Sequence, residues 1–304
     1  MKKYAVIDIG SNSTHMDIIE LDIKNIKVKH LKYKTLVNKL GIDIFDSKNI
    51  SLNKIEELSD FIIECANISK QMNVSQMYVF ATSCLREAEN SKEVINYLKE
   101  KTGYLIDVIS SNQETKLTYE SVNYLYDLKD KNTFIIDIGG GSTEIILTKN
   151  TDIIFENSFD IGISKIKRKL NITTHNFDEA TKKQTQDVSK DLIQNIINEI
   201  PKEFISTDLI GTSSIFDTFG FIIYDYIKEL SDLKDKDITT KDLIFIIDEL
   251  TLDNINIEPN KKDILFIGAI FMLELIKILN LDKILIAPWS IREPYIINAI
   301  NKGV

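Results

Sequence analysis

Two stretches, Asp8-Ile9-Gly10-Ser11-Asn12-Ser13-Thr14 and Asp137-Ile138-Gly139-Gly140-Gly141-Ser142-Thr143, share residue types at five of seven positions. In each, an apolar run ends on a carboxylate, small residues follow, and a second alternating run begins. A strand that delivers a carboxylate to such a turn leaves backbone N–H groups pointing outward with no side chain in the way. That is a cradle for phosphate. The hydroxyls of Ser11, Ser13, Ser142 and Thr143 add donors. Asp8 and Asp137 would repel phosphate unless a divalent cation lay between, and Mg²⁺, held largely through its waters, resolves that conflict. One glycine-rich turn is ordinarily only a hairpin; two matched copies call for a common task. The expected phosphate-binding residues are therefore Gly10, Ser11, Asn12, Ser13, Gly139, Gly140, Gly141, Ser142 and Thr143.

Further candidates surround these turns. Glu144 lies across the second turn from Asp137, close enough in sequence for both carboxylates to reach its mouth. Arg86 carries a guanidinium suited to bidentate contact with an oxyanion, or to a surface pair with Glu87 or Glu89. Glu114 falls near the start of a helix, where an acidic side chain also suits the helix dipole. His15 is expected to pack or orient the first turn. His30 and His175 show no pairing pattern in the sequence. Lys165, Lys167, Arg168 and Lys169 form the densest basic cluster, readable as a polyanion track or as a solvated helix face.

The elements that must hold these residues follow from periodicity. Strands are expected at Tyr4–Ile9, His15–Leu21 and Ile26–Leu31, then a helix through Leu52, Ile55, Leu58, Phe61, Ile62, Cys65, Ile68 and Met72, and a strand at Met77–Ala81. A helix capped by Ser91 and stopped by Gly103, a strand Tyr104–Ile109 and a helix opening near Asn112 complete the first half. At Thr133 the strand–turn–strand pattern restarts with Phe134–Asp137, Glu144–Leu147 and Ile153–Glu156. The remainder reads as mostly helical, over about 177–200, 240–250 and 263–279, with short strands at 208–210 and 283–287.

The 304 residues exceed one ordinary core and predict two domains. A net charge of −9 disfavours nucleic-acid and membrane-surface partners, so any polyanion site must be locally positive. Cys65 and Cys84 form no CxxC or Cys/His pattern, which supports neither disulfides nor zinc and suits a reducing cytoplasm. The start MKKYAVIDIG reaches Asp8 before any signal-peptide h-region can form. The apolar stretch 264–273 is too short to span a bilayer and reads as a core helix.

The duplicated turn resembles the actin, Hsp70 and sugar-kinase superfamily. IDIGSNSTHM (7–16), ATSCLREAEN (81–90), ISSNQETKLTY (109–119), IDIGGGSTEI (136–145) and LIGTSSIFDTF (209–219), with KKDILFIGAIF and IREPYI near the C-terminus, together resemble the short form of the exopolyphosphatase and guanosine pentaphosphatase (Ppx/GppA) family. The resemblance implies an α/β fold of two actin-like, ribonuclease H-like domains with a cleft between them, expected at 1–118 plus 291–304 and at 119–290. It implies Glu114 as the base that activates water, Arg86 as a phosphate holder, and Asp137, Glu144 and Asp8 as the groups around Mg²⁺, or alternatively Mn²⁺. The implied catalytic set is thus Glu114, Asp137, Glu144 and Arg86. The expected ligand is inorganic polyphosphate or guanosine penta- or tetraphosphate, terminal orthophosphate being released; a homodimer is implied by the resemblance alone. Departures from the family pattern are Gln113, Thr115, Ser214, Lys261 and Pro294, which put substrate preference in question. The alternative is a catalytically slow (p)ppGpp-binding regulatory protein, for which Gln113 is the best support. A kinase or Hsp70-like ATPase would need an adenosine-binding glycine motif, and LIGTSS at 209–214 is a weak one.

Overall fold

The computed structural model describes residues 1–303 except 173–176, and leaves the side chains of residues 259 and 260 undescribed; His175 lies outside the described residues. The chain divides into two compact units, one of Met1–Tyr124, Gly139–Gly141 and Ser290–Val304, the other of Leu125–Ile138 and Ser142–Trp289.

The first unit is built on strands β1 (Lys2–Ile9), β2 (Thr14–Asp22), β3 (Lys27–Leu36), β4 (Gln76–Ala81) and β5 (Asp107–Val108), in the order β3-β2-β1-β4-β5. β1, β2 and β3 form an antiparallel meander, while β4 runs parallel to β1 and β5 parallel to β4. The periodic helix α2 (Leu52–Gln71) buries Ile55, Leu58, Phe61, Ile62 and Cys65 in this unit's core. Helices α1 (Leu40–Ser47), α3 (Ser83–Glu87), α4 (Ser91–Thr102), α5 (Ser111–Leu125) and the C-terminal α11 (Arg292–Lys302) complete it. α11 docks through Tyr295, whose ring centroid lies 4.5 Å from that of Phe80 and whose hydroxyl meets Asp107 at 2.9 Å. Pro294, in the first turn of α11, removes no intrahelical bond there.

The second unit repeats the plan with strands β6 (Asn132–Ile138), β7 (Thr143–Lys149), β8 (Asp152–Phe159), β9 (Asp208–Thr212), β10 (Asp237–Thr239) and β11 (Lys283–Ala287). Their order, β10-β11-β9-β6-β7-β8, places β6, β7, β8, β9 and β11 where the first sheet has β1, β2, β3, β4 and β5, with β10 as an added antiparallel edge. The meanders share even their irregularity: register slips between Ile18 and Ile19 on β2, and between Leu147 and Thr148 on β7. Counted from Thr14 and Thr143, both slips fall after the same number of residues, as a duplicated unit requires. This is the two-domain actin-like α/β architecture.

Helices α6 (Ile163–Lys169), α7 (Glu179–Glu199), α8 (Ser214–Ile223), α9 (Thr240–Thr251) and α10 (Pro259–Leu279) pack on the second sheet. α10 carries the apolar stretch seen in the sequence; residues 265–276 are buried throughout, and Phe266 stacks on Phe177 at 4.2 Å. Among the described residues no helix is long and apolar enough to cross a membrane.

Three local expectations differ. The strand expected at Tyr104–Ile109 pairs only at Asp107 and Val108, because an edge this short leaves Leu105 70% exposed. Ser91 is the first helical residue of α4, not its cap; the preceding Asn90 spends its amide on both backbone groups of Ile50. α1 and α3 were not expected as helices, and α6 and α8 fall in the part read only as mostly helical without bounds, all four being too short for a clear period.

Candidate functional site

In the first unit the turn Gly10–Ser13 joins β1 to β2 and is closed by the Gly10 N–H donating to the Ser13 carbonyl at 3.0 Å. A Cβ on Gly10 would stand 2.9 Å from that carbonyl oxygen, so the turn admits only glycine. The carbonyls of Ser11 and Asn12 accept from Gly41 (2.7 Å) and Lys39 (2.9 Å), which ties the turn to the start of α1. On its other side Ser11 Oγ meets Ser83 Oγ at 2.9 Å, and the Thr82 N–H and the Cys84 thiol both donate to the Ile9 carbonyl. Carbonyls are thus consumed by the scaffold. Gly139–Gly141 groups with this unit, and a Cβ on Gly141 would lie 2.8 Å from Ser11 Oγ and 2.7 Å from Ser83 Oγ. The glycine there permits close approach to two hydroxyls.

Arg86, at the end of α3, donates through Nη1 to Glu114 Oε2 at 2.7 Å and to the Ile109 carbonyl at 3.0 Å. Glu114, in the first turn of α5, is 7% exposed. Its burial pushes the carboxyl up, and the Arg86 charge and hydrogen bond pull against that rise. Glu114 is therefore not a solvated first-turn acid, and Arg86 pairs with it across 28 positions of sequence. Gln113 caps the same helix: its side-chain oxygen accepts from Ser110 N–H while Ser110 Oγ accepts from Gln113 N–H, a capping box. Asp8, at the mouth of the turn, is pushed up to about 7 by desolvation, opposed by Arg292 and reinforced by Glu114 and Glu293. A half-buried carboxyl so poorly compensated suits a site that receives a cation.

In the second unit Asp137 and Glu144 sit directly opposite each other in the β6–β7 ladder, on one face of the sheet. Glu144 is 2% exposed and accepts from Ser158 Oγ at 2.7 Å. These two acidic side chains are hard oxygen donors of the kind that bind Mg²⁺. Ser142 is buried in the turn. The Thr143 hydroxyl donates to the Ile161 carbonyl, so its hydrogen is committed to the fold. Ser213, in the LIGTSS segment, holds φ 106°, a strained value for a non-glycine residue, and its hydroxyl donates to the Ile138 carbonyl at 3.3 Å. Of the basic cluster on α6, Lys165 pairs with Asp160 and Lys167 with the buried Asp263, which takes two cations out of any polyanion track.

The sequence reading missed a set of groups behind the first turn. His30, for which the sequence shows no pairing pattern, places Nδ1 2.7 Å from Asp17 Oδ2 and Nε2 3.7 Å from Glu293 Oε1, with both carboxylates 1% exposed. One ligating atom from each lies within 4.8 Å of the others, the spacing of a metal site. Here the cations facing the two acids are His30 itself and the buried Arg292. Burial draws His30 down, yet the Asp17 hydrogen bond and the two negative charges outweigh it and hold the ring's pKa above its ordinary value. The Asp17 and Glu293 carboxylates thus favour the protonated form of the imidazole. Arg292 Nε donates to Ser290 Oγ (2.9 Å) and Glu293 accepts from the Ser290 N–H (2.8 Å), fixing the start of α11. These residues are far apart in sequence, and IREPYI was their only local signal.

Comparison with known proteins fits this arrangement. The model of the Ppx/GppA phosphatase family matches residues 21–302. A Fusobacterium nucleatum protein named bifunctional 3-dehydroquinate synthase/phosphatase is 28% identical over 99% of this chain and 46% of its own length. A Photobacterium profundum guanosine-5'-triphosphate,3'-diphosphate pyrophosphatase is 25% identical over 98% of this chain and 59% of its own. Exopolyphosphatase 1 of Mycobacterium tuberculosis is 25% identical over 55% of this chain and 48% of its own. The chain thus spans about half the length of these curated relatives. Among solved structures, an exopolyphosphatase from Cytophaga hutchinsonii superposes with a TM-score of 0.83 at 20% identity, covering 100% of this chain and 99% of that one. The Aquifex aeolicus Ppx/GppA family member gives 0.79 at 20% identity, covering 99% and 98%. At such identity these two speak for the fold. With the family model matching nearly its whole length, the chain belongs to the Ppx/GppA phosphatase family.

Proposed function

We propose that the chain is a phosphohydrolase that releases terminal orthophosphate from inorganic polyphosphate or from pppGpp, with Mg²⁺ or Mn²⁺ as cofactor. The observation that carries this reading is the pair of half-buried Arg86 and buried Glu114 at 2.7 Å, beside the first glycine turn. Phosphoryl transfer asks a protein chiefly for positioning, charge neutralisation and an oriented nucleophile. Glu114 accepts the proton of the attacking water, and burial supports that role by raising its basicity. Arg86 is hydrogen-bonded to it and neutralises charge that develops on the phosphoryl oxygens. The N–H groups and hydroxyls of Gly10, Ser11, Asn12 and Ser13, and of Gly139, Gly140, Gly141 and Ser142, cradle the phosphates, with Thr143 contributing backbone. Asp137, Glu144 and Asp8 are the residues that would hold the divalent ion, which would supply charge neutralisation to the bound phosphates.

The two family members most alike in name, an exopolyphosphatase and a pppGpp pyrophosphatase, motivate these substrates. The alternative of a slow (p)ppGpp-binding regulator rested on Gln113. That side chain serves as a helix cap, a task a glutamate performs equally well, so the substitution favours neither reading. The test is phosphate release by the purified protein with Mg²⁺, comparing long-chain polyphosphate, pppGpp and ATP at equal terminal-phosphate concentration. Release from polyphosphate or pppGpp but not ATP is expected. Tight pppGpp binding without release from any of them would favour the regulator.

A further inference from the structure

We propose that Arg292, acting through Tyr33 and His15, fixes the direction of the Ser13 hydroxyl so that it serves only as a hydrogen-bond donor to a phosphoryl oxygen. The inference rests on reading the first glycine turn as a phosphate cradle, and it links His15 and Arg292, from the segments IDIGSNSTHM and IREPYI, through Tyr33, which lies in neither, as three positioning residues.

The links are contiguous. Arg292 Nη1 lies 3.4 Å from the Tyr33 hydroxyl, with its guanidinium 5.2 Å from the Tyr33 ring centroid. The Tyr33 hydroxyl lies 2.6 Å from His15 Nδ1, and His15 Nε2 lies 2.7 Å from Ser13 Oγ. Thr35 Oγ1 also approaches His15 Nδ1, at 3.1 Å. A guanidinium has donors only. The Tyr33 oxygen therefore accepts from Arg292, and its own hydrogen is assigned to His15 Nδ1 across the 2.6 Å contact. Nδ1 of the neutral ring then carries the lone pair, which places the ring's single proton on Nε2. That N–H donates to Ser13 Oγ, and the remaining Ser13 hydrogen has to point away from His15. On this assignment the buried Arg292 at one end biases donor polarity at the other.

The second copy of the turn shows that the fold does not impose this. Asp8 pairs with His15 in the β1–β2 ladder, whereas Asp137 pairs with Glu144 at the matching place in β6–β7. Glu144 accepts a hydrogen bond from Ser158 where His15 gives one to Ser13. The first turn is arranged to donate to an anion, the second to accept from a donor or a cation. The two copies have diverged in hydrogen-bond polarity while keeping their backbone.

The experiment is made on the full chain with Tyr33→Phe combined with Thr35→Val, which removes both hydroxyls facing Nδ1 yet keeps the Tyr33 ring that stacks on His15 and lies beneath Arg292. Ring ¹⁵N NMR of His15 at about pH 8, where an ordinary imidazole is neutral, reads the tautomer directly. Wild type is expected as Nε2–H and the double variant as a mixture. Tripolyphosphate affinity is expected to fall about 5- to 10-fold in the double variant and by a similar factor in Ser13→Ala, as for loss of one oriented hydrogen bond. Combining all three changes should add little, the signature of groups acting as one unit. An Nδ1–H tautomer in wild type, or fully additive losses, would overturn the relay. The expected tautomer together with tripolyphosphate binding indifferent to Ser13→Ala would instead overturn the first turn as the phosphate site.

Discussion

Arg86 Nη1 stands 2.7 Å from Glu114 Oε2 and 3.0 Å from the carbonyl of Ile109, so one nitrogen of the guanidinium joins the end of α3 to the segment that opens α5. A lysine could supply the charge and donate to two acceptors, but not the planar fork whose other nitrogens offer further N–H groups to an oxyanion. Arg86→Lys is expected to lower kcat on the active substrate by about 10-fold or more, and Arg86→Ala by roughly 100-fold, with smaller changes in KM. Steady-state kinetics check this; wild-type kcat in Arg86→Ala would remove the residue from the chemistry.

The pH dependence of stability should carry the mark of His30. Its folded pKa is raised above the ordinary value of about 6.5. The proton is therefore held more tightly in the folded state, and its contribution is fully present below about pH 6.5 and lost as pH rises through the folded value. Glu293, pushed up chiefly by burial, acts in the same sense. Urea midpoints measured from about pH 5.5 to 9 should decline on the alkaline side, and His30→Gln should lower the acid-side stability and flatten that decline. An unchanged slope in the variant would show that the Asp17–His30–Glu293 cluster does not bind the proton.

Packing in the second unit gives a prediction independent of function. A Cβ on Gly211, at the end of β9, would overlap the ring of the fully buried Phe216. Gly211→Ala is expected to destabilise by about 1–3 kcal/mol, as overpacking in a closed core does. Thermal or urea unfolding measures it, and pairing the change with Phe216→Leu should recover part of the loss.

Much of this architecture is legible in the sequence because it is local and repeated. The strand–turn–strand unit announces itself twice, and a carboxylate, a glycine and hydroxyls keep their places in both copies. α2 and α10 declare themselves by long apolar periods. The short helices α1, α3, α6 and α8 do not, since fewer than three turns give no reliable period. α1 exists because its start is tied to the carbonyls of Ser11 and Asn12, a tertiary cause. His30 and Arg292 are missed for the same reason. Their partners Asp17, Glu293, Tyr33 and Ser290 come together only when α11 returns to the first sheet. Glu114 and Arg86 were available only through family motifs, because neither spacing nor charge distinguishes a buried ion pair from two surface residues.

The central claim is that Glu114 activates water for attack on a terminal phosphate. Glu114→Gln keeps the shape and the hydrogen bond to Arg86 but cannot take a proton. Phosphate release from polyphosphate or pppGpp, measured beside direct binding of the same ligand, should fall by roughly 1,000-fold or more while affinity stays within a few-fold of wild type. Release within about 10-fold of wild type, with the variant folded and binding normally, would contradict the account.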